Sequence, residues 1–167
     1  GLPYFEPNEH GEVMNNDFFG GNLKGIISKL DYLQSLGVTC LYLSPIFDAF
    51  SNHKYDTGNY KEIDCMFGTK EDFRKLCSEG KKRGIRILLD GVFNHTGSDS
   101  IYFNRKETYN SLGAFQSDKS EYYSWFNFLE YPNKYESWWG IDTLPAINEN
   151  DPSYLEFIAG EKGIGTR

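Results

Sequence analysis

Asp90, Asn94 and His95 place a carboxylate, an amide and an imidazole close together in the run Asp90-Gly-Val-Phe-Asn94-His95. Such a trio can hold a metal, relay a proton or grip hydroxyl groups. As metal ligands alone the three are weak, because one Asp, one Asn and one His in this run have no defined ligand spacing. The plain alternative is a hydrogen-bond network that merely closes the end of a strand. A second source of chemistry is the aromatic content, with 12 Tyr, 13 Phe and 3 Trp, much of it interleaved with polar residues after residue 100. Tyr and Trp on loops suit the apolar faces of sugars, since one ring gives both stacking area and a polar tip. They suit an aromatic mini-core beneath a loop layer equally well, and both readings stand.

The elements that must position these groups follow from periodicity. Leu23, Ile26, Ile27, Leu30, Leu33 and Leu36 recur at helical spacing, with Asn22 as N-cap and Gly37 placed to end a helix. Val38 to Leu43 reads as a buried strand, and the polar, aromatic run from Ser44 to about Gly68 reads as a loop. Thr69 and Asp72 resemble a capping box with Asp in place of Glu; Phe73, Leu76 and Cys77 then share one face, and Gly84 follows a basic last turn. Ile85 to Leu89 is a second buried strand that runs directly into Asp90. Two apolar strands joined by a helical crossover predict a parallel pair in an α/β sheet. Functional groups in such folds gather at the C-terminal ends of the strands, here Ser44-Pro45 onward and Asp90 to His95. Residues 96–150 show no helix or strand period, and irregular stretches of that length tend to be functional. Asp151-Pro152 is a good helix start, and Tyr154, Leu155 and Ile158 continue an apolar face before Gly160, Gly163 and Gly165.

Composition removes some partners. The net charge is −7, and the only basic cluster, Lys81, Lys82 and Arg83, sits at a helix C-terminus where the dipole explains it. A nucleic-acid partner is therefore not expected. No apolar run approaches the length of a membrane span, so no membrane partner is expected either. Cys40 and Cys77 read as small core hydrophobes; with Cys65 they make an odd number at unrelated spacings, against a disulfide framework or a zinc site. This leans slightly towards a reducing compartment and the cytoplasm, with secretion left open. The oligomeric state is open.

Five segments, in order, carry a resemblance. Asp90-Gly-Val-Phe-Asn94-His95 resembles the first signature of the α-amylase superfamily, glycoside hydrolase family thirteen. Phe18-Phe19-Gly20-Gly21-Asn22-Leu23-Lys24-Gly25 resembles the opening of that family's first barrel helix, and Leu41-Tyr42-Leu43-Ser44-Pro45-Ile46-Phe47 its second strand. Ser51-Asn52-His53-Lys54-Tyr55-Asp56-Thr57 is similar to the loop after that strand in neopullulanase-like and cyclomaltodextrinase-like members. Leu144-Pro145-Ala146-Ile147-Asn148 resembles the motif near the end of the inserted B domain.

The resemblance implies a partial (β/α)8 TIM barrel around strands two and three over residues 1–95, a B-domain-like insertion over 96–150, and the start of the return to the barrel over 151–167. It implies an α-glucan or maltooligosaccharide as substrate. Tyr55 would stack under the glucosyl ring at the cleaved bond, His95 would bond its hydroxyls and Asp90 would brace the site, with Asn52 and His53 beside them. Asn94 is, in many relatives, a calcium ligand; the B-domain acid that joins it there is replaced here by Ala146, so calcium is an expectation with a departure against it, and no other cofactor is implied. Trp138 and Trp139 either line a more distant sugar subsite or pin the insertion to the barrel. The family's nucleophile Asp and acid/base Glu sit on its fourth and fifth strands, and no Gly-x-Arg-x-Asp-like segment occurs before Arg167. A retaining mechanism needs two carboxyls about 5 to 5.5 Å apart, and nothing pairs Asp90 with a second acid. These residues alone are therefore expected to be inactive, within a parent that is a retaining glycosidase or transglycosylase. The rival expectations are a non-catalytic binding or scaffold relative, and a free-standing metal-dependent hydrolase using Asp90, Asn94 and His95.

Overall fold

The computed structural model describes residues 6–11, 13 and 17–164. Parts of the segment before Asn22, and Gly165, lie outside the described residues. The first elements are α1 (Leu23–Ile27) and α2 (Leu30–Ser35), where the spacing predicted one continuous helix. The interruption is local. The Ser28 hydroxyl donates to the Gly25 carbonyl at 2.7 Å, offering the backbone a partner outside the helical ladder. The apolar face runs on across the break, so Leu23 and Leu30 are buried in one cluster. Asn22 caps α1 as expected, accepting from the Gly25 N–H at 2.8 Å.

Strand β1 (Cys40–Leu43) follows, shorter than predicted, and the expected capping box opens α3 (Lys70–Lys82) with Thr69 and Asp72 each accepting from the other's backbone N–H. Strand β4 (Arg86–Leu89) then pairs with β1 in parallel, Cys40 opposite Arg86 and Leu43 opposite Leu89. Both helices hand over to their strands by one device. After α2, Gly37 (φ +80°) and Val38 donate to the carbonyls of Gln34 and Leu33; after α3, Gly84 (φ +71°) and Ile85 donate to Lys81 and Gly80. These paired bonds are Schellman motifs, which need a left-handed residue that glycine supplies without steric cost. Arg83 bonds Asp31 at 2.6 Å and Glu79 at 2.8 Å, tying the end of α3 to α2.

Alternation along β1 and β4 sorts their side chains. Leu41, Leu43, Ile87 and Leu89 pack towards the helices with Leu23, Leu30, Ile46, Leu76 and Ile85. Leu76, at 0% exposure, contributes about 2–5 kcal/mol against truncation to Ala. The opposite face of the pair is open: Tyr42 is 59% and Leu88 54% exposed. Cys40 shares that face and is exposed, which corrects its reading as a core residue; the period-two pattern put it on the same side as Tyr42. Cys77 is partly buried.

The 44–68 segment is not only loop. It contains an antiparallel pair, β2 (Phe47–Ala49) with β3 (Thr57–Ile63). Gly58, Asn59, Lys61 and Glu62 are poor strand formers, so tertiary packing rather than propensity makes this strand. Residues 96–150 contain a small hairpin, β5 (Phe128–Glu130) with β6 (Lys134–Tyr135), and two single 3₁₀ turns, Tyr123–Trp125 and Trp138–Gly140. The sequence expectation of no strand there is corrected accordingly. Helix α4 (Pro152–Ala159) begins as predicted, with Asp151 accepting from Ser153 and Tyr154 N–H groups.

A second core, almost wholly aromatic, lies under this irregular region. Tyr60, Tyr102, Phe103, Trp125, Phe126 and Tyr154 are its buried centre. Edge-on and tilted contacts such as Phe103 on Phe126 (4.8 Å) and Trp125 on Tyr154 (5.1 Å) are the geometries ring quadrupoles favour. Most of the late aromatics therefore build an interior. No helix among the described residues is long and apolar enough to cross a membrane.

Candidate active site

The site grows from the end of β4. Asp90 N–H donates to the Leu43 carbonyl at 3.0 Å, continuing the parallel ladder by one residue and fixing the carboxylate at the strand end. Beyond it the chain is held from beneath by two core tyrosines. The Tyr60 hydroxyl reaches the carbonyls of Val92 and His95, and the Tyr154 hydroxyl donates to the Phe93 carbonyl at 2.6 Å. The aromatic core thus sets the path of residues 92–95.

Two phenols converge on one oxygen of Asp90. Tyr42, from the open face of β1, donates to Oδ2, and Tyr55 donates to the same atom at 3.2 Å. The hydrogen bond to Asp90, with its charge nearby, pushes the Tyr42 hydroxyl up to about 12 and raises Tyr55 as well, so both remain donors at neutral pH. Tyr55 is 42% exposed, with its ring at the rim of the site.

Tyr55 is delivered by a tightly wired loop. The Ser51 hydroxyl donates to Asp56, and Ser51 N–H donates to the other oxygen of that carboxylate at 3.0 Å. Lys54, at φ +63° and 2% exposed, sends its ammonium to the Ala49 carbonyl at 2.8 Å and to Asp64 at 2.7 Å. Asn52 donates to the Asp17 carbonyl at 3.1 Å, and His53 accepts the Tyr55 N–H at 3.1 Å. Of the residues singled out in the sequence, Tyr55, His53, Asp90, Asn94 and His95 are linked through this network, whereas Asn52 is tied back to Asp17.

His95 is 4% exposed, and both ring nitrogens face protein: Nε2 lies 3.1 Å from the Tyr55 carbonyl and Nδ1 3.1 Å from the Asn94 side chain. Burial holds its pKa below the ordinary value, opposed by the Tyr55 carbonyl and Asp56, while His53 adds to the depression. A neutral ring follows. The Tyr55 carbonyl can only accept, so Nε2 carries the proton; Nδ1 faces the Asn94 Oδ1, also an acceptor, and accepts from that amide only when its nitrogen is turned towards the ring. One face of the ring is covered by Trp138, centroids 5.2 Å apart. The Leu144–Asn148 segment crosses beside it: Thr96 N–H donates to the Pro145 carbonyl at 3.2 Å, and Ile147 N–H to the Asn94 carbonyl at 3.0 Å.

The calcium expectation gains no support from the side chains at Asn94 and Ala146. The Asn94 side chain is engaged with His95, Ala146 brings no side-chain oxygen, and among the described residues no three His, Cys, Asp or Glu side chains gather as metal ligands. A cavity of about 610 Å³ lies to one side and is lined by Asp48, His53, Asp56, Asp99 and Thr143, among others, but not by Tyr55, Asp90 or His95. Sequence reasoning missed Tyr42, Lys54 and Asp64. Tyr42 was open to discovery, because strand parity and the neighbouring register bring it towards Asp90; the Lys54–Asp64 pair had no sequence signal.

The arrangement is thus a carboxylate gripped by phenols beside a neutral, ring-stacked imidazole, at the C-terminal end of parallel strands. Residues 5–161 match the family described as "Alpha amylase, catalytic domain". The chain belongs to the α-amylase family. An amylopullulanase of Thermoanaerobacterium saccharolyticum is 51% identical over 162 residues, covering 90% of this chain and 13% of its own length. An intracellular maltogenic amylase of Bacillus subtilis is 43% identical over 146 residues, covering 86% of this chain and 24% of its own. The chain therefore spans a quarter or less of these curated α-amylase relatives. Among solved structures, a cyclic α-maltosyl-(1→6)-maltose hydrolase from Arthrobacter globiformis, in complex with cyclic α-maltosyl-(1→6)-maltose, matches with a TM-score of 0.73 and 38% identity, over 83% of this chain and 31% of that one. The type III pullulan hydrolase from Thermococcus kodakarensis matches with a TM-score of 0.73 and 38% identity, over 84% and 24%. The parallel pair β1–β4 with its helices fits part of this α-amylase-family TIM barrel.

Proposed function

We propose that this chain supplies the part of a retaining α-glucan hydrolase or transglycosylase that holds the glucosyl unit at the cleaved bond. The observation that carries the reading is Tyr55 fixed to Asp90 at a strand end, directly beside His95. Tyr55, half-exposed and oriented by its hydroxyl, offers a ring to the apolar face of a sugar. Asp90 braces that ring and Tyr42 from the strand end. His95, neutral, offers a hydroxyl-binding nitrogen once the exposed Asn94 amide yields its place at Nδ1. His53 stands at the rim through its bond to Tyr55. Residues 96–150 act as the inserted B domain, with Leu144–Asn148 closing it against His95.

Proton abstraction and nucleophilic attack are not assigned to these residues, since the partners of Asp90 are phenols and not a second carboxylate. The carboxylate pair of a retaining mechanism comes, in this proposal, from sequence outside residues 1–167. No step is routed through calcium. Maltogenic, pullulan-cleaving and amylopullulanase relatives support the glucan class.

The test follows the anomer of the first product. Protein carrying this chain, given maltooligosaccharides or pullulan and observed by proton NMR in the first minutes, is expected to release α-anomeric ends. Release of β-anomeric ends would contradict retention, and no cleavage of any α-glucan would favour a binding or scaffold role.

A further inference from the structure

Trp139 is 84% exposed, and its backbone sits at φ 54°, ψ 24°. A bulky residue seldom enters that left-handed region. The turn is imposed from both sides: Trp138 N–H donates to the Leu144 carbonyl at 2.9 Å, Gly140 N–H to Ser137 at 3.2 Å and Ile141 N–H to Trp138 at 3.0 Å. Strain of this kind persists where the surroundings over-determine it and concentrates at ligand sites.

The indole fills no core. One face lies flat on Trp138, centroids 4.5 Å apart and planes 4° apart, and Trp138 lies in turn on His95 at 5.2 Å and 29°. A ladder of stacked rings thus leads from the buried imidazole out to water, and the outer face of Trp139 ends it. The sequence left two roles for the tryptophan pair, and the two rings are placed differently. Trp138, half-buried, pins the 138–144 turn to the strand end. Among the described residues, no other ring contacts Trp139, which is exposed.

A rigid apolar face one ring wide matches the C–H face of a single pyranose. A protein or lipid partner uses a patch several side chains wide. We infer that the outer face of Trp139 is a stacking platform for an outer glucosyl unit of an α-glucan chain, distinct from the unit held at Tyr55. The inference rests on the function proposed above and adds a second contact to it. Because two stacked rings separate the platform from His95, only chains long enough to span them reach it.

Trp139→Asn removes the ring while keeping a residue that tolerates the left-handed turn; Trp139→Tyr keeps a ring. In the protein carrying this chain, kinetics would be compared from maltotriose to maltoheptaose. For the longest chains Trp139→Asn is expected to lower kcat/KM by about five- to tenfold, or about 1–1.4 kcal/mol. KM should carry the change, maltotriose should be unaffected, and Trp139→Tyr should recover most of the loss. An equal loss at every length, or no loss at any, overturns the platform while the wild-type activity leaves the wider function standing. A wild-type protein inactive on every α-glucan overturns both.

Discussion

Lys54 Nζ stands 2.7 Å from Asp64 Oδ2 with the two side chains 3% and 5% exposed, and this buried pair fixes the loop that carries Tyr55. The same ammonium holds the Ala49 carbonyl, so it joins the end of β2 to the residue that follows β3. Losing one partner leaves the other as an unpaired buried charge. Lys54→Met is therefore expected to destabilise the protein by about 3–5 kcal/mol, read from urea midpoints. The double replacement Lys54→Met, Asp64→Leu should cost less than the single one, since it leaves no orphaned charge. A single replacement costing under about 1 kcal/mol would show that the pair behaves like a surface ion pair.

His95 gives a pH dependence with a definite sign. Its folded pKa lies below the ordinary value because the ring is buried, whereas the unfolded ring titrates near about 6.5. Between those values the unfolded chain binds the extra proton, so stability rises with pH there. The contribution is complete above the unfolded value and is lost as pH falls through the folded one. Urea midpoints measured from neutral pH downward should fall more steeply for the wild type than for His95→Gln. Equal slopes, or an NMR titration of His95 at or above the ordinary value, would contradict a buried neutral ring.

Thr69 and Asp72 satisfy each other's backbone donors at the start of α3, the longest helix described. Thr69→Ala should lower stability by about 0.5–2 kcal/mol, without altering any kinetic constant, because α3 packs behind the sheet and away from Asp90. A change in KM for a glucan would mean that the helix layer and the site are coupled in a way these contacts do not show.

What was legible in the sequence was what local physics decides. The Thr69 box, the Asp151-Pro152 start, and the glycines at 37 and 84 all act through their own backbone, and the structure has each where the pattern put it. The two strands were legible too from their apolar content, but they were read as buried, and the structure leaves one face of the pair open. Tertiary packing decided the rest. β3 contains Gly58, Asn59, Lys61 and Glu62 and forms only because Thr57 and Tyr60 are buried against other segments. The aromatic core has no period at all, since Tyr60, Phe103, Trp125 and Tyr154 meet from distant parts of the chain. Cys40 shows the reverse error: an apolar strand pattern does not say which of the two faces is covered.

At the site, motif order picked out Asp90, Tyr55 and His95, but the groups that position them were not picked out. Tyr42 sat in an ordinary strand pattern, and Lys54 in a polar loop where burial of an ammonium could not be anticipated. Trp138 acquires its place on His95 only through the turn that Leu144 closes.

The central claim is that Tyr55, held on Asp90 beside His95, grips the sugar at the cleaved bond. The direct measurement is kcat/KM on short maltooligosaccharides for the protein carrying this chain, with Tyr55→Ala and with His95→Ala. Each replacement is expected to lower it by at least about tenfold, or about 1.4 kcal/mol, with the fold intact by circular dichroism. Unchanged kinetics in both variants would contradict the assignment of this site.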